Sequence, residues 1–212
     1  MKILIACEES QTVCKAFRAK GHEAYSCDIL DCSGGHPEWH IQGDVLEQLN
    51  KGWHMMIAHP PCTYLTVTGN KWFKDEFKDR FPTRQQDRRD AIEFFMKLVN
   101  APIEKICIEN PVGVMSTVYQ KPTQYVHPYF FGEPHSKKTG LWLKGLPELK
   151  PTKIVEPKFY IYKDGGKDPI WHFETMKLPP KERSIARSKT FPGIAKAMAE
   201  QWGLLTPPTN NN

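Results

Sequence analysis

KILIACEESQTVCKAFRAKGHEAYSCD, residues 2–28, reads as strand, turn, helix and strand. Lys2–Ala6 is a short apolar run, and Thr12–Ala19 carries helical spacing. Gly21 with His22 ends that helix ahead of a second apolar run at Ala24–Cys27. Strands this apolar suit burial on both faces, so the opening predicts a parallel sheet covered by helices. The fold class expected is α/β. Two further buried strands fit the same sheet, Trp53–Ala58 and Lys105–Ile108, with a long amphipathic helix between them over about Arg84–Asn100. That helix is expected to turn Ile92, Phe95, Met96 and Val99 inward.

After residue 120 Pro, aromatic and Lys residues interleave. The candidate strands there are short: Tyr125–Phe131, Gly140–Leu143 and Phe159–Tyr162. The organisation expected is a core over residues 1–122 and a small irregular basic subdomain over 123–185. A helix at Gly193–Trp202, within 186–205, returns to the core, and a frayed tail fills 206–212.

The 212 residues support one main domain with a small appendage. At 40% hydrophobic and 25% charged residues the composition excludes a largely disordered chain. No apolar run approaches a bilayer span, and the N-terminus lacks a signal peptide's long apolar stretch, so a cytoplasmic protein without membrane contact is expected. The net charge of +5 hides an asymmetry: residues 1–70 carry 5 basic and 8 acidic side chains, whereas residues 135–212 carry 14 and 7. A basic C-terminal third suits either a polyanionic partner or a solubilising surface.

Six cysteines contain no C-x-x-C pair, and Cys7, Cys27 and Cys107 sit in strand-like runs as small hydrophobes. Cys32, His36 and His40 have metal-like spacing, but Gly-Gly and Pro interrupt it and a fourth ligand is missing, so no metal is expected. Cys62 differs, because it follows Pro60 and Pro61 in a loop where packing does not require a thiol. Ligands of open α/β sheets collect at the carboxyl ends of strands. Four unusual segments occupy those ends: Cys7-Glu8-Glu9-Ser10, Asp28, Pro60-Pro61-Cys62 and Glu109-Asn110-Pro111. A thiol and a carboxylate at two strand ends make a covalent-catalysis site plausible.

Pro-Pro-Cys at one strand end, with Glu-Asn-Pro at the next, resembles the DNA (cytosine-5) methyltransferase family. The segments IENPVG and FPGIAKAMAEQWG resemble a short branch met in phages and prophages, and the likeness runs from about Ile3 to Gly203. It implies a Rossmann-like sheet that binds S-adenosylmethionine, with cytosine-containing DNA as partner, a monomeric state and a place in restriction-modification. By the same likeness Cys62 is the nucleophile that adds to cytosine C6, and Glu109 holds the base. Asp28, Asp44 of Gly43-Asp44-Val45, Cys7, Glu8, Glu9, Ser10 and Pro60 would contact the cofactor. Asn110, Lys137, Lys138, Arg183 and Arg187 would face substrate or DNA. Thr63–Arg89 would form a mobile loop over the nucleophile.

Departures accompany the likeness. Cys7–Gln11 contains no glycine where the family has a glycine-rich cofactor loop, and His135–Thr139 stands where the family has an arginine motif. Several residues also have plainer readings. Asp44 can N-cap a short helix, Glu8 or Glu9 can be a surface carboxylate, Glu109 can cap a helix, and Cys62 can be a buried thiol. His59 reads as a packing or orienting residue rather than a base. A cytosine-nucleotide C5-modifying enzyme and a catalytically idle DNA-binding relative are the alternative functions.

Overall fold

The computed structural model describes residues 1–205; the tail expected from Thr206 lies outside the described residues. Five parallel strands form the body of one sheet: β1 (Lys2–Ala6), β2 (Glu23–Asp28), β3 (His40–Gln42), β4 (Met55–Ala58) and β5 (Lys105–Pro111). β6 (Gln124–Val126) and β7 (Thr139–Lys144) complete it in the order β3-β2-β1-β4-β5-β7-β6, with β7 antiparallel to both neighbours. The helices that cover it are α1 (Thr12–Arg18), α2 (Arg84–Val99), the single turn α3 (Met115–Val118) and, at the end of the fold, α6 (Pro192–Trp202). The α/β expectation therefore holds, and the sheet is compatible with a Rossmann-like arrangement.

Side chains alternate along a strand, so each core strand feeds two cores. Ile3 and Ile5 of β1 pack with Phe17 of α1 and Met198 and Trp202 of α6. Leu4 and Ala6 face the opposite way, toward Phe95 and Leu98 of α2 and Trp142 of β7. Burial on both sides explains why these strands read as continuous apolar runs rather than alternating ones.

Three expectations shift. β5 does not stop at Ile108. β7 pairs with it through Glu109, Asn110 and Pro111, so Glu109-Asn110-Pro111 is strand and not loop. β6 and β7, placed by sequence in the 123–185 subdomain, belong to the central sheet, and the unit that stands apart begins later. That unit is the hairpin β8 (Phe159–Ile161) and β9 (Lys167–Pro169) with α4 (Ile170–Met176) and α5 (Pro180–Ser188). The strand expected over Tyr125–Phe131 ends at Val126, because Pro128 has no N–H for a ladder and starts a 3-10 turn. No helix among the described residues is long and apolar enough to cross a membrane.

Candidate active site

The chain leaves β1 for β2 on one side and returns to β4 on the other, so the strand order reverses beside β1. The crevice outside the carboxyl ends of β1 and β4 is where a sheet of this kind receives a ligand. Two cavities open there. The larger, about 660 Å³, is lined by Cys7, Asp28, Gly43, Asp44, Pro61 and Tyr64 among others. The smaller, about 160 Å³, shares Cys7, Asp28 and Leu30 with it, adds Glu8, Glu9, Ser10, His59 and Thr190, and is closed on one side by Ser184, Ile185 and Ser188 of α5.

The glycine-free turn after β1 takes a backbone that glycine would take. Cys7 and Gln11 have φ of 58° and 57°, the only positive values at non-glycine residues among the described residues. Each costs roughly 1–2 kcal/mol relative to ordinary backbone. Buried side chains hold the turn in place. The fully buried Gln11 donates through Nε2 to the His36 carbonyl (2.7 Å) and accepts through Oε1 from the His36 N–H (3.0 Å). Glu8, 5% exposed, accepts the Val13 and Cys14 N–H groups at 2.7 and 3.1 Å. Its carboxylate thus satisfies orphan donors at the start of α1. Burial pushes the Glu8 carboxyl up. Glu9 accepts from Ser33 Oγ, and Ser10 Oγ lies 3.4 Å from Thr12 Oγ1. All four residues of the expected Cys7–Ser10 group reach the smaller cavity, but Glu8 has both oxygens committed to backbone.

Asp28 and Asp44 both line the larger cavity. Each spends one oxygen locally, on the Leu30 and Leu46 N–H groups at 2.9 Å. Asp44 is therefore the cap of a 3-10 turn at Val45–Gln48 and a cavity wall at once. Pro61 rather than Pro60 meets the cavity; Pro60 is buried and its carbonyl accepts from Asn110 Nδ2 at 2.9 Å. That bond turns Asn110, expected at the substrate, into an inward brace between the ends of β4 and β5. Sequence reasoning missed Asp87, Asp90, Ala91 and Phe94 of α2, which form the far wall. Their spacing of three, four and seven is one helix face, and it adjoins the apolar face that the sequence reading chose.

Cys62 follows β4 and Glu109 lies in β5, and the chain after each is stitched to the other. Val67 N–H donates to the Val112 carbonyl (3.1 Å) and Val114 N–H to the Leu65 carbonyl (2.8 Å). Gly113 lies so close to the Leu65 carbonyl that a Cβ there would collide with it. The thiol of Cys62 is half-buried and raised by that burial, while the charge of Lys137 pulls it back down. Glu109 is 10% exposed, as is His59, whose Nδ1 sits 2.9 Å from Glu109 Oε2. Thr190 Oγ1 donates to the same oxygen at 3.2 Å. Burial alone would raise the Glu109 carboxyl, but His59, Lys137 and Thr190 together hold it well below the usual range.

Lys137 thus lies beside the candidate site, though not in the expected way. Its Nζ donates to the Arg187 carbonyl (3.2 Å) and sits beside the rings of Trp171 and Phe191, where its charge acts on Cys62 and Glu109. Lys138 is exposed, 4.2 Å from the Tyr125 ring. Arg183 and Arg187, expected to face DNA, turn back on their own unit instead. Arg183 donates to the Leu178 carbonyl, and Arg187 to Thr175 Oγ1 (2.8 Å) and the His172 carbonyl (3.1 Å). A planar guanidinium satisfies carbonyls near a helix end well, so Arg187 staples α5 to α4 while Arg183 holds the connection between them. No group of three or more His, Cys, Asp or Glu positioned for a metal ion occurs among the described residues. His40 instead reaches Ser26 Oγ (2.8 Å), and His36 stacks on Trp39.

The chain matches no protein-family model, and no curated protein is significantly similar to it.

Proposed function

We propose that this chain is an S-adenosylmethionine-dependent DNA cytosine-5 methyltransferase of Rossmann-like fold. The observation that carries the reading is the Cys62 thiol, just past β4, within electrostatic reach of the Glu109 carboxyl near the end of adjacent β5, beside an acid-walled cavity. The cavity suits the cofactor. Asp28 at the end of β2 can accept ribose hydroxyls, and Asp28, Asp44, Asp87 and Asp90 set negative charge around a sulfonium. When bound, S-adenosylmethionine supplies an electrophilic methyl group.

The protein's own groups do the rest. Cys62 Sγ adds to C6 of cytosine, which loads electron density onto C5 and ring N3. Glu109 stands at the neighbouring strand end to hold N3 and the exocyclic amine, where charge develops. Lys137 favours the thiolate over the thiol, opposing the effect of burial. Elimination after loss of the C5 proton to water returns Cys62. A cytosine in duplex DNA has to leave the stack to reach this crevice. Protection of DNA from restriction is the role that such an activity would serve.

The test is incubation of DNA with the protein and methyl-labelled cofactor, followed by mass spectrometry of the nucleosides. 5-Methylcytosine is expected, and Cys62→Ala is expected to abolish it. Absence of 5-methylcytosine sinks the proposal. Product from dCMP but not from duplex DNA moves the reading to a nucleotide-modifying enzyme.

A further inference from the structure

His59 is the titratable ring beside Glu109, and the mechanism above does not use its position. It follows β4 directly, one residue before Pro60, and is 10% exposed. Its Nδ1 faces Glu109 Oε2 at 2.9 Å and Thr190 Oγ1 at 3.4 Å, while its Nε2 is buried without a partner. Both contacts to Glu109 use Oε2, which leaves Oε1 for a ligand. The charged groups that act on the ring come from three elements: Glu109 on β5, Glu8 after β1, and Lys137 before β7.

Two carboxylates and one ammonium around a buried imidazole leave a net negative surrounding. A buried, unpaired carboxylate is costly, and a proton shared across the short contact removes that cost. Burial pulls the His59 ring toward neutrality, but the contact with Glu109 and the charges of Glu109 and Glu8 outweigh it and raise its pKa. The short contact and the direction of both shifts favour imidazolium beside carboxylate.

That arrangement poses a problem for the chemistry proposed above. Addition of a thiolate to C6 places negative charge on N3, and N3 then needs a proton. Glu109, held as a carboxylate, has none of its own to give. We propose that His59 is a positioning residue that stores this proton on Nδ1 and passes it through Glu109 to N3 of the bound cytosine. The balance closes within the site. As the Sγ–C6 bond forms, the C5=C6 pair shifts to make C4=C5 and the former C4=N3 pair moves onto N3. The proton moves from Nδ1 to Glu109 Oε2, the carboxyl group turns to present that O–H to the base, and the proton passes to N3, leaving a neutral ring and a carboxylate. When C5 takes the methyl group, C4=N3 reforms with N3 protonated. Loss of the C5 proton to water rebuilds C5=C6 and expels the thiolate, and the N3 proton returns through Glu109 to His59.

This inference rests on the cytosine reading, and its test separates the two. Nitrogen-15 NMR of histidine-labelled protein, with His59 assigned by through-bond correlation to its backbone, reads the protonation state of the ring without any turnover. At pH 7 His59 is expected to show two protonated nitrogens in the native protein. In Glu109→Gln it is expected to be neutral, below its ordinary midpoint of about 6.5. A neutral His59 in the native protein at pH 7 overturns the proposal. The kinetic arm uses His59→Asn, whose amide can still donate to Glu109 but carries no transferable proton. Its kcat is expected to fall roughly 100-fold with KM for DNA unchanged, and the alkaline limb of the kcat profile is expected to vanish. Native kcat and an unchanged limb in that variant overturn the proposal. If the native protein transfers no methyl group, the cytosine reading falls and the proton relay with it, while the NMR result still decides the state of the pair. Should His59→Asn fail to fold, the Glu109→Gln comparison stands alone.

Discussion

α6 and the pair α4–α5 follow one another in the chain, yet they are built on different principles. α6 buries Ile194, Ala195, Ala197, Met198, Ala199 and Trp202 against α1 and the sheet. α4 and α5, together longer, bury no side chain fully. Their unit is held by surface contacts instead. Tyr160 stacks on Phe173 at 3.6 Å, His172 meets Asp168 at 2.8 Å, Arg187 donates to α4, and Trp171 Nε1 reaches the Ser136 carbonyl at 2.9 Å. The charges differ in the same way. Near the sheet they come paired and buried, as in His59–Glu109, whereas in the hairpin unit lysines stand open to solvent. One stretch of chain thus supplies an exposed appendage and then a rigid strut. Basic composition alone does not tell them apart.

The strongest test of that contrast is to remove the strut. Trp202 is fully buried and its Nε1 donates to the Pro147 carbonyl at 2.9 Å. Trp202→Ala is expected to cost about 3–5 kcal/mol, read as the loss in urea midpoint at constant slope. A cost below about 1 kcal/mol would mean that α6 is no more integral than α5. Next comes the buried pair, through pH. A depressed Glu109 stabilises the fold above its unfolded pKa of about 4.3, and that stabilisation is lost as pH falls through the folded value. A raised His59 stabilises below about 6.5 and loses that as pH rises through its folded value. The advantage of the native protein over Glu109→Gln is therefore expected to be largest between about pH 4.5 and 6.5. Thermal midpoints across pH check this, and an advantage independent of pH contradicts it. A smaller effect belongs to Arg187→Ala, which is expected to cost about 1–2 kcal/mol, confined to the unit. Hydrogen exchange should quicken in α4 and α5 and stay slow in β1 and β4. Uniform quickening would join the unit to the core.

How far the sequence reveals these two regions follows from the range of the interactions. β1, α1 and β2 are legible because their pattern is local and their strands are buried on both faces. Cys62 is legible because two prolines remove it from regular structure, and Asp44 because its capping chemistry lies within two residues. The length of β5 is not, since its last three residues are strand only through pairing with β7, some thirty residues on. Asp87 and Asp90 were hidden because α2 has two useful faces, one against Phe95 and Leu98 in the core and one against a cavity. Arg183 and Arg187 look like open cations in the sequence because nothing in their neighbourhood announces that Leu178, His172 and Thr175 fold back to accept from them. Lys137 looks like one more DNA-facing cation for the same reason.

The smallest effect on the fold is expected where the two regions differ most in charge. Lys158, Lys163, Lys167 and Lys181 are exposed, and none makes an ion pair among the described residues. Three of them flank the aromatic hairpin of Tyr160 and Tyr162, and the fourth lies in the first turn of α5. If the unit meets DNA, these lysines neutralise phosphates, while Arg183 and Arg187 keep the unit in shape. Replacing the four lysines with Gln is expected to leave stability within about 0.5 kcal/mol. It should also make the slope of log affinity against log salt shallower by up to roughly three to four. Arg187→Ala is expected to do the reverse, loosening the unit with little change in slope beyond what the loosening causes. Fluorescence anisotropy with a duplex oligonucleotide across salt concentrations gives both slopes. A native slope in the lysine variant, with a shallow one in the arginine variant, would exchange the two roles and return the guanidinium groups to the phosphate face. The discrimination works because counterion release counts only charges that reach phosphate, whatever else those side chains support.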